Sequence, residues 1–149
     1  MILDDAYLNR LLVNNFPSLK EQYFDTVSWQ DGDDTGSHVV YGGVLTPYLT
    51  ECIINNDTSE ILKIFAFLEE LLLKNDEFVN GVIACSVVGY ITYLLLEYDH
   101  IQPLLGEESE KIFEKYRKVS NVNISIGETL NGSEPSSWRH WWRRFLIGR

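Results

Sequence analysis

Apolar residues recur at three- and four-residue spacing along most of the chain, as they do in amphipathic helices. The clearest example begins at Asp57, because Asp57 and Glu60 have the spacing of a helix N-cap and its reciprocal carboxylate. The apolar stripe that follows consists of Ile61, Leu62, Ile64, Phe65, Leu68, Leu71 and Leu72. Asn75 is a suitable cap for a second helix, from Phe78 to roughly Tyr98. Since the connection is short, the pattern predicts a central antiparallel helical hairpin.

The second helix of this hairpin carries no charged residue before Glu97. At about 30 Å it would be long enough to cross a bilayer. Its flanks, however, are acidic, whereas membrane spans are typically flanked by basic and aromatic residues. The pattern therefore favours a buried central helix over a membrane span.

The same spacing predicts further helices over the first twelve residues and over residues 17–27, 47–55, 107–118 and 136–147. Trp29 is expected to close the apolar face of the helix predicted over residues 17–27. Gly42, Gly43 and Pro47 weaken a continuous helix. A short helical or irregular segment is therefore predicted near Val39, and Thr46 is predicted to cap a separate helix that starts at Pro47. Residues 121–135 are rich in Asn, Gly and Ser and predict an extended linker. The fold class is therefore all-α, one domain of five to seven helices.

The chain has 149 residues and a formal charge of −10, and this charge is unevenly distributed. Residues 1–110 contain 19 acidic and 4 basic residues, a net charge of −15, whereas residues 111–149 carry +5. An acidic body repels nucleic-acid phosphates and attracts basic proteins at long range. We therefore expect a protein partner and no nucleic-acid or membrane ligand.

No catalytic, metal or cofactor signature is readable in the sequence. The two cysteines lie in apolar segments without metal-ligand spacing, so both are expected to be reduced core thiols. The loop at Asp31 begins like a calcium loop, but Gly42 occupies the position where calcium requires a bidentate glutamate. Because no basic segment precedes an apolar one at the N-terminus, a cytoplasmic location is expected.

The C-terminal segment combines aromatic and basic residues at helical spacing. Its aromatic stripe is formed by Trp138, Trp141, Trp142 and Phe145, and arginines lie beside it. We expect this stripe to dock on the chain's own apolar surface, with its arginines facing the acidic body. The alternatives are a membrane-surface or ligand-binding role, in which the tryptophans would act as an aromatic anchor.

Three segments carry a resemblance to a known group of proteins: Phe16 to Leu19 with Tyr23, His38 to Gly42, and Ile64 to Glu70 before Asp76. Over residues 14–95 the chain resembles small acidic all-helical immunity proteins of bacterial polymorphic and contact-dependent growth inhibition toxin systems. The resemblance implies a non-catalytic protein that binds and neutralises a cognate toxin domain. Many toxin nucleases are basic because their substrate is rich in phosphate, so an acidic inhibitor suits them.

The residues expected to contact such a partner are the exposed acids Asp31, Asp33, Asp34, Glu69 and Glu70. The last two are placed on the solvent-exposed face of the hairpin. A helical adaptor or regulatory protein-binding module is the alternative function. An enzyme whose site combines His38 or His100 with a buried carboxylate is a third hypothesis.

Overall fold

The computed structural model describes the backbone of residues 3–130 and the side chains of residues 3–119. This part of the chain contains no β-strand. It forms six α-helices and one longer 3₁₀ helix: α1 (Asp5–Asn15), α2 (Lys20–Val27), α3 (Ser37–Val40, Tyr41–Leu45 and Thr46–Ile54), α4 (Thr58–Leu72), α5 (Glu77–Ile83, Ala84–Val88 and Gly89–Glu97), the 3₁₀ helix Asp99–Leu104, and α6 (Glu107–Leu130). The predicted all-α bundle of five to seven helices is confirmed.

Helices α4 and α5 form the predicted hairpin. Asp57 caps α4, since its side chain accepts a hydrogen bond from the Glu60 amide at 3.3 Å. Asp76 caps α5 in the same way, through the Val79 amide at 3.0 Å. The predicted cap, Asn75, instead adopts a left-handed φ of 53°, a conformation that asparagine tolerates in tight turns. The cap therefore lies one residue later than predicted.

Helix α5 lies at the centre of the bundle, where α3, α4 and α6 pack against it. Its buried residues are Val79, Val82, Ile83, Val87, Val88, Ile91, Leu94 and Leu95. By length and composition alone, Glu77–Glu97 could cross a membrane, with a mean hydropathy of 1.8, but 56% of its most apolar window is buried inside the protein. The apolar side chains of α5 thus pack against the neighbouring helices of the bundle.

Helix α3 begins at Ser37 and passes through Pro47 without interruption, so the segment predicted near Val39 and the helix predicted from Pro47 form one continuous helix. Thr46 has helical angles, φ −61° and ψ −45°, and so the prediction that it caps a helix was wrong. The reason is a π turn at Tyr41–Leu45, just before the proline. This turn already breaks the regular i→i−4 hydrogen-bond ladder, and the missing N–H of Pro47 therefore costs little.

Helix α5 contains a second π turn, Ala84–Val88, and the two π turns pack against each other. Thr46 Oγ1 donates a 2.6 Å hydrogen bond to the Ser86 carbonyl, and His38 Nδ1 lies 2.8 Å from Ser86 Oγ. Gly42 lies beside this contact, and a Cβ there would be 3.7 Å from the Ser86 side chain, an ordinary van der Waals distance. Polar contacts thus fix α3 against α5.

Helix α6 continues to Leu130, which differs from the extended linker predicted for residues 121–135. The sequence reason is that Val119, Val122, Ile126 and Leu130 recur at three- and four-residue spacing and continue the apolar stripe of α6. The alternating pattern around Val122 obscured this repeat. The predicted helix 136–147, with Trp138, Trp141 and Trp142, lies outside the described residues.

The two cysteines have different environments. Cys52 is buried, as expected, but Cys85 is exposed, so the prediction of two core thiols was wrong for Cys85. Cys85 lies on the side of α5 that faces α6, where the Tyr116 hydroxyl lies 3.8 Å from its sulfur. A helix that is apolar all round can still leave one side partly open to solvent.

Candidate partner-binding surface

The C-terminal end of α2 and the turn after it expose aromatic and acidic side chains together. Trp29 is 75% exposed and Phe24 is 55% exposed. We call this surface the acidic-aromatic patch; it consists of Phe24, Asp25, Trp29, Asp31, Asp33 and Asp34. Trp29 was predicted to close the apolar face of α2, which was wrong, because Tyr23 and Val27 already fill that face. Its indole is therefore left largely uncovered by the part of the chain that the structure describes.

The loop of the patch is held in place from its inner side. Asn9 is fully buried on α1, and its amide donates to the backbone carbonyls of Asp33, at 3.0 Å, and Thr35, at 2.7 Å. Ser37, also buried, donates its backbone N–H to the Asp5 carboxylate at 2.7 Å. Since its backbone is bonded to the core, this loop of turn-forming residues is preorganised.

Tyr23 connects the loop to α2. Its hydroxyl donates a 2.5 Å hydrogen bond to the Asp33 carboxylate, and its ring lies 5.7 Å from that of Phe24. Burial, then the hydrogen bond to Asp33, raises the pKa of Tyr23 well above its ordinary value of 10. The hydroxyl therefore remains a donor at neutral pH and holds Asp33 next to the exposed aromatic residues.

The chain segment that carries the patch has charge of one sign, although Arg10 on α1 lies near enough to oppose part of the rise in the pKa of Tyr23. Residues 21–34 contain five carboxylates and no lysine or arginine. Such a surface attracts basic molecules and raises their rate of encounter. Binding hot spots in protein interfaces are often tryptophans bordered by a rim of polar groups, and Trp29 with its neighbouring carboxylates has that composition. This arrangement suits a basic protein partner.

The predicted acidic residues fall into two separate groups in the structure. Asp31, Asp33 and Asp34 are exposed on the loop, as expected. Glu70 is exposed near the end of α4, where this helix packs against α6. The loop of the patch, in contrast, packs on α1 and α2. The two groups therefore do not belong to one patch.

Glu69 differs from the expectation that it lies on the solvent-exposed face. It is half-buried, and its carboxylate accepts hydrogen bonds from the backbone amides of Glu108 at 2.7 Å and Ser109 at 3.2 Å. The Ser109 hydroxyl also donates to it at 3.2 Å. Glu69 thus caps the first turn of α6, so its carboxylate stabilises the fold and is not presented to a partner.

The histidines proposed for an enzyme site have neutral partners. His38 is hydrogen-bonded to Ser86, as described above, and His100 Nε2 lies 2.9 Å from Asn56 Oδ1. Among the residues that the structure describes, no group of three or more His, Cys, Asp or Glu side chains is placed to hold a metal ion.

The sequence pattern predicted the acidic loop but not its aromatic residues. The three tryptophans that it proposed as a possible anchor lie outside the described residues. One signal for Trp29 was available, because it follows the end of α2 directly and precedes a loop of turn-forming residues. A tryptophan in that position often has no core side to face.

The comparisons with known proteins add a family but no activity. A family model described as a domain of unknown function (DUF7674) matches residues 9–121, about three quarters of the chain. The match includes the acidic-aromatic patch and the central hairpin, and it ends before the Trp-rich C-terminal segment. No curated protein and no solved structure matches the chain.

Proposed function

This chain belongs to the DUF7674 family, and we propose that it is a cytoplasmic immunity protein, which binds and neutralises a basic toxin domain of bacterial origin. The inhibitor acts by binding alone and uses no cofactor. The acidic-aromatic patch forms the contact, with Trp29 as the anchor and the loop aspartates as the rim.

The observation that carries this proposal is the exposure of Trp29 within a purely acidic segment. Trp29 presents a large apolar ring on the turn that leads into the acidic loop, whose backbone Asn9 holds at Asp33 and Thr35. Binding then orders few additional groups, so little conformational entropy is lost. Aromatic anchors of this kind carry a large share of the binding energy of protein interfaces.

The charge of the whole chain supports the same partner. Residues 1–110 carry −15, so long-range attraction brings a basic domain towards the protein before any contact forms. A nuclease that binds phosphate-rich substrates is basic for that reason. An acidic inhibitor can therefore associate with it quickly and cover its substrate-binding surface.

A regulatory adaptor would use the same patch for a different basic protein. The gene beside this one distinguishes the two functions, because an immunity gene lies next to the gene of its toxin. We therefore expect a neighbouring gene to encode a large protein with a basic C-terminal domain.

Co-expression tests the proposal. A bacterial host producing the neighbouring toxin domain should survive when it also produces this chain, and the two proteins should copurify at low salt. Trp29→Ala should reduce both the survival of the host and the copurification of the two proteins. Leu62→Ala, which changes an exposed apolar residue on α4, should leave both unchanged. Death of the host despite abundant soluble chain, with no complex at low salt, would refute the proposal.

A further inference from the structure

A groove of about 580 Å³ runs between α5 and the first half of α6. Its volume lies within the range of about 300–1,000 Å³ that is typical of ligand pockets. Gly81 leaves free space in it, since a Cβ at this position would meet no described atom within 4 Å. The lining is predominantly apolar and includes Leu72, Gly81, Ala84, Ile112, Tyr116 and Val119. The groove therefore has room for an apolar molecule of moderate size.

Tyr116 forms an aromatic wall of this groove, and its position is fixed. Its ring packs on Gly89 of α5, where a Cβ would lie 3.1 Å from two of the ring atoms. Its hydroxyl lies 3.8 Å from the Cys85 sulfur. A side chain held in this way loses little freedom when a ligand binds, and aromatic rings pair favourably with one another. The groove thus favours a ligand with a flat aromatic ring.

One polar group of the lining has no partner within the described part of the chain. Asn80 lines the groove, and its Oδ1 atom is buried without a hydrogen bond. Buried side-chain oxygens are nearly always hydrogen-bonded in native proteins. The terminal torsion of asparagine is broad, so a rotation of the amide can turn Oδ1 towards a donor in the groove. A ligand that carries an N–H or O–H group would satisfy this atom.

The lysines of the groove add positive charge to an otherwise acidic protein. Lys111 and Lys115 line the groove together with one carboxylate, that of Glu108. Lys111 is already paired, since its Nζ lies 2.9 Å from the Glu108 carboxylate. Lys115, one turn further along α6, is exposed and forms no ion pair with a described side chain. Its ammonium group can therefore pair with an anionic group of a ligand.

We propose that the groove between α5 and α6 binds a small aromatic molecule that carries a carboxylate and an N–H or O–H donor. The ring of this ligand fills the space at Gly81 beside Tyr116, its donor bonds to Asn80 Oδ1, and its carboxylate pairs with Lys115. The site shares no residue with the acidic-aromatic patch, and the inference is independent of the proposed function.

Indole-3-propionate is a suitable probe, because it combines an aromatic ring, one N–H donor and a carboxylate. Isothermal titration calorimetry of the full chain should show saturable binding at one site, with a dissociation constant at or below about 1 mM. 1-Methylindole-3-propionate lacks the donor and should bind at least about fivefold more weakly, since Asn80 Oδ1 stays unpaired. Indole-3-propanol lacks the carboxylate and should bind about two- to fivefold more weakly, as expected for one exposed ion pair.

Variants of the lining locate the binding in the groove. Gly81→Leu fills the free space and should abolish detectable binding, whereas Gly43→Leu, at a helical glycine of α3 with equally open surroundings, should not change it. Lys115→Met should remove the preference for indole-3-propionate over indole-3-propanol. Lys118→Met, at an exposed position of α6 outside the lining, should keep that preference. Asn80→Leu should remove the preference for the probe over its 1-methyl derivative.

Three results would overturn the inference. The first is the absence of binding to the full chain, including the case in which the chain forms a dimer that Gly81→Leu dissociates, because a second copy would then be the occupant. The second is unchanged binding by a Gly81→Leu variant that keeps its helical circular dichroism. If that variant does not fold, the other substitutions decide, and the third contradicting result is that both preferences persist in Lys115→Met and Asn80→Leu.

Discussion

The hydroxyl of Thr46 on α3 donates a 2.6 Å hydrogen bond to the backbone carbonyl of Ser86 on α5, and both residues are buried. The bond runs from the residue directly after one π turn to the middle of the other. Such turns are rare interruptions of an α-helix and are frequently associated with function. In this protein it fixes the position of α3 against the central helix. Helix α3 follows directly after the acidic loop. This contact therefore also helps to fix the position of the chain where it leaves that loop.

We expect Thr46→Val to lower the free energy of unfolding by about 1–3 kcal/mol. Valine keeps the shape of threonine but leaves the buried Ser86 carbonyl without this donor. Thr92→Val is the matched control, because the buried Thr92 hydroxyl bonds only within its own helix, to the Val88 carbonyl at 2.8 Å. Urea denaturation should show a clearly smaller loss for the control. Equal losses would mean that the hydrogen bond between α3 and α5 contributes no more to stability than a side-chain hydrogen bond within one helix.

Glu69 should matter for stability although it was predicted as a surface contact. Glu69→Ala removes the cap of α6 and should cost about 1–2 kcal/mol, the usual range for a lost N-cap. Glu70→Ala, at the exposed neighbouring position, should change stability by less than about 0.5 kcal/mol. Thermal unfolding followed by circular dichroism measures both variants. If they unfold alike, the capping role of Glu69 is incorrect.

Helical spacing and capping residues were sufficient to predict the bundle and its central hairpin. The continuity of α3 could not be predicted in this way, because Gly42, Gly43 and Pro47 are helix breakers locally. What overrides them is a contact between distant segments, in which Ser86 approaches Gly42 and bonds to Thr46. Tertiary packing of this kind leaves no periodic signal in the sequence.

The candidate surface was only partly predictable for a related reason. Turn-forming residues and charge identify the exposed Asp31, but the position of Trp29 depends on which side chains already fill the face of α2. The role of Glu69 depends on α6, which is almost forty residues away in the sequence. Adjacent identical residues such as Glu69 and Glu70 can therefore have entirely different environments.

The two thiols should react at very different rates. Burial raises the pKa of Cys52 to about 11, so its reactive thiolate is scarce at neutral pH, and the side chain is also inaccessible. Cys85 is exposed. Iodoacetamide at pH 8 should modify one thiol per chain, and peptide mapping should place the label on Cys85. Modification of Cys52 in the folded protein would contradict the described packing.

Alkaline pH should destabilise the protein partly through Tyr23. Because its pKa is raised in the folded state, Tyr23 contributes stability that is present below pH 10 and decreases as the pH rises above 10. Tyr23→Phe should therefore show a shallower loss of melting temperature between pH 9 and pH 11 than the parent chain. Some loss should remain, since burial also raises the pKa of Tyr41 and Tyr48. Parallel pH profiles would exclude this role of Tyr23.

The acidic residues of the patch should act mainly on the rate of association. One exposed carboxylate contributes less than about 1 kcal/mol, so the informative variant changes Asp31, Asp33 and Asp34 to Asn together. A control variant, with Glu51, Glu107 and Glu110 changed to Gln, alters the net charge equally at exposed positions elsewhere. The association rate of this control variant should fall less than that of the triple Asp→Asn variant, because the electrostatic field at the patch is left intact.

The most direct test of the proposed function is the association rate with the neighbouring toxin domain, measured by stopped flow at increasing salt. We expect fast association that slows steeply with salt, a tenfold or greater loss at low salt for the triple Asp→Asn variant, and faster dissociation for Trp29→Ala. Absence of a complex at low salt, or identical rates for the triple Asp→Asn variant and its charge-matched control, would contradict binding through the acidic-aromatic patch.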